Sequence, residues 1–417
     1  MISVEEAFEL IEQRASSLPP LGSETIPLSS SVGRVLAQQI TSDVDSPPHN
    51  KSVMDGFAVV SSDIRDGITS FRVLETIVAG TMPTQTVISG TTSRIMTGAP
   101  MPEGADAVVM VELSNIGYND PTPDEVTLQW KGPVEQFTTG KHAMQRAQNF
   151  AKGQTIFPAG HRIRAVDVGL LAEVGASQVE VSQKPAVAVL PTGDELVDCG
   201  SMPGDSQIRN SNGPMLNAIC QKMGAEVTDL GIGADSVEDL TAKIKRGLED
   251  DFLLLSGGVS AGTMDLVPGI LQSLGVVQVF HKVKVKPGKP IFFGLLERAG
   301  GKPSLVFGLP GNPVSSLIGV HLFVSTAMRI MMRQTTCRPV GRPTVLSAPH
   351  QTRGDRPTYW PGRLVTEPDA AAGAVEPLRW NGSSDLFSLG AAEGLILMPA
   401  REEIWNAGEQ VLYFPLA

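Results

Sequence analysis

The sequence predicts a multidomain protein of α/β plus β class, with a mainly parallel α/β domain and a small C-terminal β-barrel or sandwich. Three observations lead there. Strand-like and helix-like segments alternate over residues 184–333. Short β-like runs broken by Gly and Pro dominate residues 50–140, and short strands and turns return after residue 340. At 417 residues the chain is also long for a single core. Its 43 Gly and 31 Pro against 5% aromatics fit turn-rich β pieces.

The elements follow in order. Val4, Ala7, Phe8 and Ile11 stand at helical spacing, and Ser3 with Glu6 forms a candidate capping box. A second short helix is predicted over residues 30–39, broken by the Ser46-Pro47-Pro48 string. Runs at 70–77, 86–88, 107–112 and 125–130 read as strands of a β domain. Helical character returns at 165–171, and the helices flanking the β segment are expected to pack together. The alternating region gives strands at 185–190, 225–231, 252–255, 276–283, 291–296 and 305–307. Its helices fall at 212–223, 236–248, 265–274 and 313–333, the first with Asn212 as N-cap. Four domains are predicted: residues 1–45 with 140–178 as a discontinuous helical domain, 46–139 as its β insertion, 179–333 as the α/β domain, and 334–417 as the barrel.

A net charge of −11 argues against a general nucleic-acid or anionic-membrane surface, so an anionic ligand needs a local cationic cluster. Cys199, Cys220 and Cys337 lack metal or disulfide spacing and suit a reducing, cytoplasmic setting. The acidic, helix-like start reads as no leader. The apolar run from Pro313 carries His321 and Arg329, which predicts a buried soluble helix and no membrane span.

In an open parallel sheet, ligands bind beyond the carboxyl ends of the strands. Three loops directly follow predicted strands: Thr192-Gly193-Asp194-Glu195-Leu196, Ser256-Gly257-Gly258-Val259-Ser260-Ala261-Gly262 running to Asp265, and Leu309-Pro310-Gly311-Asn312-Pro313-Val314-Ser315. Parallel strands would bring all three to one edge, where a glycine loop and helix starts suit a phosphate. Lys282, Lys284, Lys286 and Lys289 crowd into eight residues of an acidic protein. The first two fit a solvated strand edge. Lys286 and Lys289 bracket a Pro-Gly turn and are candidates for holding a dianion such as phosphate or molybdate. Asp55, Asp194, Glu195, Asp251 and Asp265 form the acidic set from which ligands for a hard, phosphate-bridging dication would come, with Asp251 equally suited to opening its strand. The six histidines form no pair at metal spacing, and no Ser-His-Asp or Cys-His arrangement is evident.

Together these strings resemble the molybdopterin molybdenumtransferases, the MoeA and gephyrin E-domain family. The likeness rests on Pro47-Pro48 with Ser52 to Ala58, Met96-Thr97-Gly98-Ala99-Pro100, Gly104 to Val108, Thr192 to Leu196, Ser211-Asn212, Ser256 to Asp265, Lys286 to Pro290 and Leu309 to Ser315. Gly382-Ser383-Ser384, Gly394-Leu395-Ile396 and Ala407 to Val411 extend it to the tail. The resemblance implies a homodimer of four-domain subunits with a MogA-like third domain, similar to the smaller molybdopterin-adenylylating proteins. It implies insertion of molybdate into adenylylated molybdopterin, assisted by Mg2+ and releasing AMP, and hand-over to molybdoenzyme maturation factors. Asp55, Thr97, Glu195, Lys286 and Lys289 would be the catalytic set, with Asp55 and Thr97 reaching the α/β loops of the other subunit. Thr192, Gly193, Ser256, Gly257, Gly258, Ser260, Asp265, Pro310, Asn312, Pro313 and Ser315 would bind the pterin nucleotide, and Asp55, Asp194, Glu195 and Asp251 the metal. The chain departs from the family at Ala147-Gln148-Asn149, where a Gly-Glu-Asp string is usual. An amide binds Mg2+ more weakly than a carboxylate and is no base. A catalytically weakened or binding-only scaffold relative is therefore the second reading.

Overall fold

The computed structural model describes residues 1–259, 266–298, 301–352, 354–365 and 373–416. The chain divides into two compact units. One comprises residues 1–38, 159–165 and 178–417, and the other residues 39–158 and 166–177.

The first unit is organised by a six-stranded sheet of β1 (Ala186–Pro191), β2 (Glu226–Asp229), β3 (Phe252–Ser256), β4 (Val277–His281), β5 (Phe292–Leu296) and β6 (Ser304–Leu309), in the order β2-β1-β3-β6-β5-β4. The first four in that order are mutually parallel, β5 runs antiparallel to β6, and β4 runs antiparallel to β5. Side chains alternate between two cores, as a period of two requires. Val187, Val189, Phe252, Leu254, Leu305 and Phe307 face one. Ala188, Leu190, Leu253, Leu255 and Val306 face the other. Both faces are covered, which explains why these strands read as continuous apolar runs. Val237–Gly247, started by Ser236 accepting from the Asp239 N–H, and Val267–Ser273 close the second core. Asn212–Lys222 and the long helical run Pro313–Met331 close the first. The long run is apolar enough to cross a membrane by length and composition, and most of it is buried inside the protein. A π-helical turn at Val320–Val324 interrupts it.

Helix α1 (Val4–Ser16) starts on the expected capping box of Ser3 and Glu6. It packs on the end of the long run, Phe8 against Phe323, with Ala7 and Ile11 fully buried. The five-stranded closed barrel of Arg342–Leu346, Thr358–Leu364, Ala374–Pro377, Gly394–Met398 and Gln410–Pro415 lends Tyr359, Leu395 and Phe414 to the same core. Arg338 ties the linker before the barrel to α1 by ion pairs with Glu5 and Glu12.

The second unit carries a five-stranded sheet in the order Ala107–Met110, Gly56–Val59, Thr91–Ile95, Ser70–Ile77, Glu125–Thr127. Phe57, Phe71, Val109 and Phe137 form its core on one face, and Ala58, Ile77, Ile95 and Val108 on the other. The strand expected at residues 86–88 is absent, and Thr91–Ile95 takes its place between two partners. The helix expected at 30–39 is also replaced. Leu28–Ser30 makes a single 3-10 turn, and buried Val35 and Leu36 bridge to Arg162 and Val181. Their backbone groups are satisfied across the chain, so local helical propensity loses to pairing.

Candidate functional site

The parallel register sets the site. Pro191 pairs with Ser256, and Ser256 with Leu309, so β1, β3 and β6 end side by side. The loops at Thr192, Gly257 and Pro310 therefore leave one edge of the sheet, as parallel strands require. Short bonds fasten them together. The Thr192 N–H donates to the Ser256 carbonyl (2.8 Å) and the Gly257 N–H to the Leu309 carbonyl (3.1 Å). Asn212, expected as a helix N-cap, does something else: Ser211 holds the cap position, and the Asn212 amide donates to Ser256 Oγ (2.8 Å) and to the Gly311 carbonyl (2.7 Å). One buried side chain thus crosslinks two of the three loops. His281 Nε2 bonds the Val259 carbonyl (2.8 Å), anchoring the far side of the glycine loop.

Glycine is required at 257. Its φ is +95°, and a Cβ there would come within 2.5 Å of the Thr192 carbonyl oxygen. Gly258, at φ +61°, is crowded by Thr192 Oγ1 in the same way. The loop's conformation is thus written into two residues without side chains. Ser260 and Asp265 lie outside the described residues.

Three cavities run along this edge. One of about 430 Å³ is lined by Thr192, Gly193, Glu195, Gly257, Gly258 and Asp235, among others. A second of about 480 Å³ touches Thr192, Glu195, Arg209, Asn212, Ser256 and Pro313. The third, about 590 Å³, is lined by Lys286, Lys289, Pro310, Asn312, Ser315 and, from the barrel, Arg356, Trp380 and Ser383. Asn312 borders all three, so they form one continuous groove. Its Nδ2 donates to Ser383 Oγ (2.8 Å) and leaves the start of the long helix uncapped by side chain, with Pro313 at the first helical turn.

The acids divide. Glu195 lines two of the cavities, and Asp235 joins it in one. Asp194 accepts the Asp235 N–H (2.9 Å) and lines none of the three. Asp251 is removed from the candidate ligands. It precedes β3 at the amino end, where its carboxylate accepts the Ala186 N–H (2.8 Å) and pairs with Lys302 (2.8 Å). Five residues of strand, about 16 Å at ~3.3 Å each, separate it from the groove. Among the described residues no three His, Cys, Asp or Glu side chains converge into a metal cage. A magnesium ion bridging substrate phosphates takes only one or two carboxylates plus water, which Glu195 and Asp235 can supply.

In the second unit, Asp55 immediately precedes one strand and Thr97 closely follows its neighbour. The pairing of Gly56 with Ile95 brings them together. Asp55 Oδ1 accepts the Thr97 N–H at 2.7 Å. That bond, with the Tyr118 hydroxyl, holds the Asp55 carboxyl below the usual carboxylate range, and Tyr118 is pushed up in return. A Cβ at Gly56 would collide with the Val109 carbonyl, so the glycine beside Asp55 is imposed by packing.

Arg356, Trp360, Trp380, Asn381, Arg209 and Asp235 line the groove without any local sequence signal that singles them out. Ser383 and Asn212 stood in visible strings, yet their roles emerge only from the fold.

An open α/β sheet whose carboxyl edge carries a glycine loop and a cationic cavity is a binding domain for an anionic small molecule. The comparisons with known proteins narrow this class. Three family models match in order: MoeA N-terminal region (domain I and II) over residues 2–175, a probable molybdopterin binding domain over 188–330, and MoeA C-terminal region (domain IV) over 344–416. The chain is 30% identical over 410 residues to a molybdopterin molybdenumtransferase of Synechocystis sp., covering 98% of both. It is 31% identical over 421 residues to one of Staphylococcus aureus, covering 98% of this chain and 94% of that one. A crystal structure of the molybdopterin biosynthesis MoeA protein of Pyrococcus horikoshii matches with a TM-score of 0.74 at 26% identity, over 100% of this chain and 99% of the other. The chain belongs to the MoeA family of molybdopterin molybdenumtransferases.

Proposed function

We propose that this transferase of molybdenum cofactor biosynthesis inserts molybdate into the dithiolene of adenylylated molybdopterin and releases AMP. The observation that carries the reading is the 590 Å³ cavity lined by Lys286, Lys289 and Arg356, which shares Pro310 and Asn312 with the cavity of the glycine loop. Molybdate is a dianion approaching a ligand that already bears phosphates and sulfurs. Two ammonium groups and a guanidinium fork offset that repulsion, against the protein's own net charge of −11. Gly257 and Gly258 let the loop lie against Thr192 and border the 430 Å³ cavity, where a phosphate would sit, with Ser256 and Ser315 at the neighbouring loop edges. Glu195 and Asp235 would hold Mg2+, which would supply charge neutralisation and polarise the phosphoanhydride. No protein nucleophile is needed.

Asp55 and Thr97 complete the proposal as a contribution from the β-rich unit of the other subunit in a cytoplasmic homodimer. The substrate would come from a molybdopterin-adenylylating protein and the product pass to molybdoenzyme maturation factors. One observation favours a binding-only reading. The Asn149 amide donates to Ser46 Oγ (3.2 Å), whose hydroxyl donates to Glu173 (2.5 Å), so it is committed to the structure.

The test is a single-turnover assay with adenylylated molybdopterin and Mg2+, following AMP with and without micromolar molybdate. AMP release that depends on molybdate is expected. Tight pterin binding with no AMP release would move the chain to the binding-only reading, and release indifferent to molybdate would sink the role of the cationic cavity.

A further inference from the structure

The corner at Asp55 includes a buried charge that the proposed reaction does not use. Arg94 stands on Thr91–Ile95, the middle strand of its five-stranded sheet, paired with Phe57 on one side and Thr76 on the other. It is only 5% exposed, yet the three groups it donates to are neutral: the Asp120 carbonyl (2.6 Å), the Tyr118 carbonyl (2.7 Å) and Thr122 Oγ1 (3.2 Å). Burying a guanidinium among neutral acceptors is unfavourable, so the loop that it holds needs a reason. The same loop is tied twice more. The Gly117 N–H donates to Asp120 Oδ2 (2.6 Å) while the Asp120 N–H donates to the Gly117 carbonyl (3.2 Å), and Thr122 Oγ1 meets Thr76 Oγ1 (2.9 Å). At the end of this clamp Tyr118 is 59% exposed, and its hydroxyl donates to the Asp55 carboxylate.

An exposed phenol finds water without help, and water would satisfy the Asp55 carboxylate equally well for folding. The clamp therefore rescues no stranded group. What it does is hold one donor in one place on a carboxylate that also accepts the Thr97 N–H (2.7 Å). A single donor leaves a carboxylate free to turn about its Cβ–Cγ bond. Two donors from separate loops fix its plane, and its remaining lone pairs then point one way. We propose that Tyr118, aimed by Arg94, is a positioning residue of the transfer reaction, orienting the Asp55 carboxylate through its hydroxyl without touching the substrate. The inference rests on the reading of Asp55 as a group that faces the substrate.

Tyr118→Phe removes the hydroxyl, keeps the ring and should leave the melting temperature unmoved. In the single-turnover assay of the full chain, the molybdate-dependent rate should fall about tenfold, the scale of one hydrogen bond to a charged group. The substrate concentration at half-maximal rate should not change. In an Asp55→Asn background the same substitution should cost no further rate, because no carboxylate is left to orient, whereas a merely structural tyrosine would lower both backgrounds alike. A second readout needs no activity. The chain has three tyrosines, of which Tyr359 and Tyr413 are buried, so 13C labels on the phenol carbons give three signals. The Tyr118 signal, assigned by its loss in Tyr118→Phe, should shift in Asp55→Asn and in Arg94→Lys, whose ammonium lacks the guanidinium fork. A Tyr118 signal unmoved by Asp55→Asn, or an undiminished rate in Tyr118→Phe, overturns the inference. A wild type without molybdate-dependent AMP release would sink the transferase reading instead, and the tyrosine signal alone then decides whether the clamp holds Asp55.

Discussion

The carboxyl edge of the α/β sheet and the Asp55–Thr97 corner both form where strands end, yet they hold their polar groups by opposite means. At the sheet edge, buried Asn212, Ser256 and Thr192 crosslink loops from strands that share one register. At the corner, a carboxylate meets one backbone N–H from a residue 42 positions away, with Thr97 exposed. The first arrangement is rigid because removing the Asn212 or Ser256 side chain leaves buried polar groups unpaired, while Thr192 joins through its backbone N–H. The second is held by its sheet and can lose its charge without losing its shape. Damage at the edge should therefore appear as lost stability, and damage at the corner as lost chemistry.

Gly257→Ala should show the largest effect. The new Cβ would meet the Thr192 carbonyl at 2.5 Å with φ at +95°, combining steric overlap and backbone strain. A loss of about 2–5 kcal/mol is expected from the two together, read by denaturant unfolding. An unchanged midpoint would show that the loop is not the rigid element described. Lys289→Ala should come next and act differently, because Lys289 is exposed on its turn. Removing one charge-assisted contact to molybdate costs about 1.5–3 kcal/mol of binding, or roughly 10–100-fold in affinity, with the unfolding midpoint unmoved. Unaltered molybdate titrations would move the anion site elsewhere.

The same contrast explains what the sequence could convey. The α/β core was legible because strands buried on both faces write uninterrupted apolar runs, and their parallel order predicted the shared loop edge. The barrel was legible through its short strands and turns. Asn212 was misassigned because cap residues and loop crosslinkers draw on the same side chains, and only the tertiary position of Ser256 separates them. Asp251 stands among the candidate ligands on its carboxylate alone, although its place before the strand already puts it at the end opposite the loops. Arg356 and Trp380 were silent for a different reason: they reach the groove from the barrel, through a fold-level juxtaposition with the Lys286–Lys289 turn. Residues 30–39 failed because pairing partners more than a hundred positions away, Arg162 and Val181, decide their backbone.

The corner offers the subtlest test, Asp55→Asn. The amide keeps an oxygen that can accept the Thr97 N–H, so the strand ends should stay in place and stability should change by no more than about 1 kcal/mol. If the charge matters, molybdate-dependent AMP release should fall by about tenfold or more, the usual scale for a positioned charged or acid–base group. The pH dependence supplies an internal check. The Asp55 carboxyl is held below its ordinary value, chiefly by the Thr97 N–H. A lowered carboxylate contributes stability that is complete above the unfolded value near ~4 and disappears as pH falls through the lower folded value. Melting temperatures of wild type and Asp55→Asn should therefore differ by a constant small amount above that point and converge in stronger acid. A gap that widens on acidification would mean that Asp55 is protonated in the fold, and the corner would then be a structural hydrogen bond without a charge to offer.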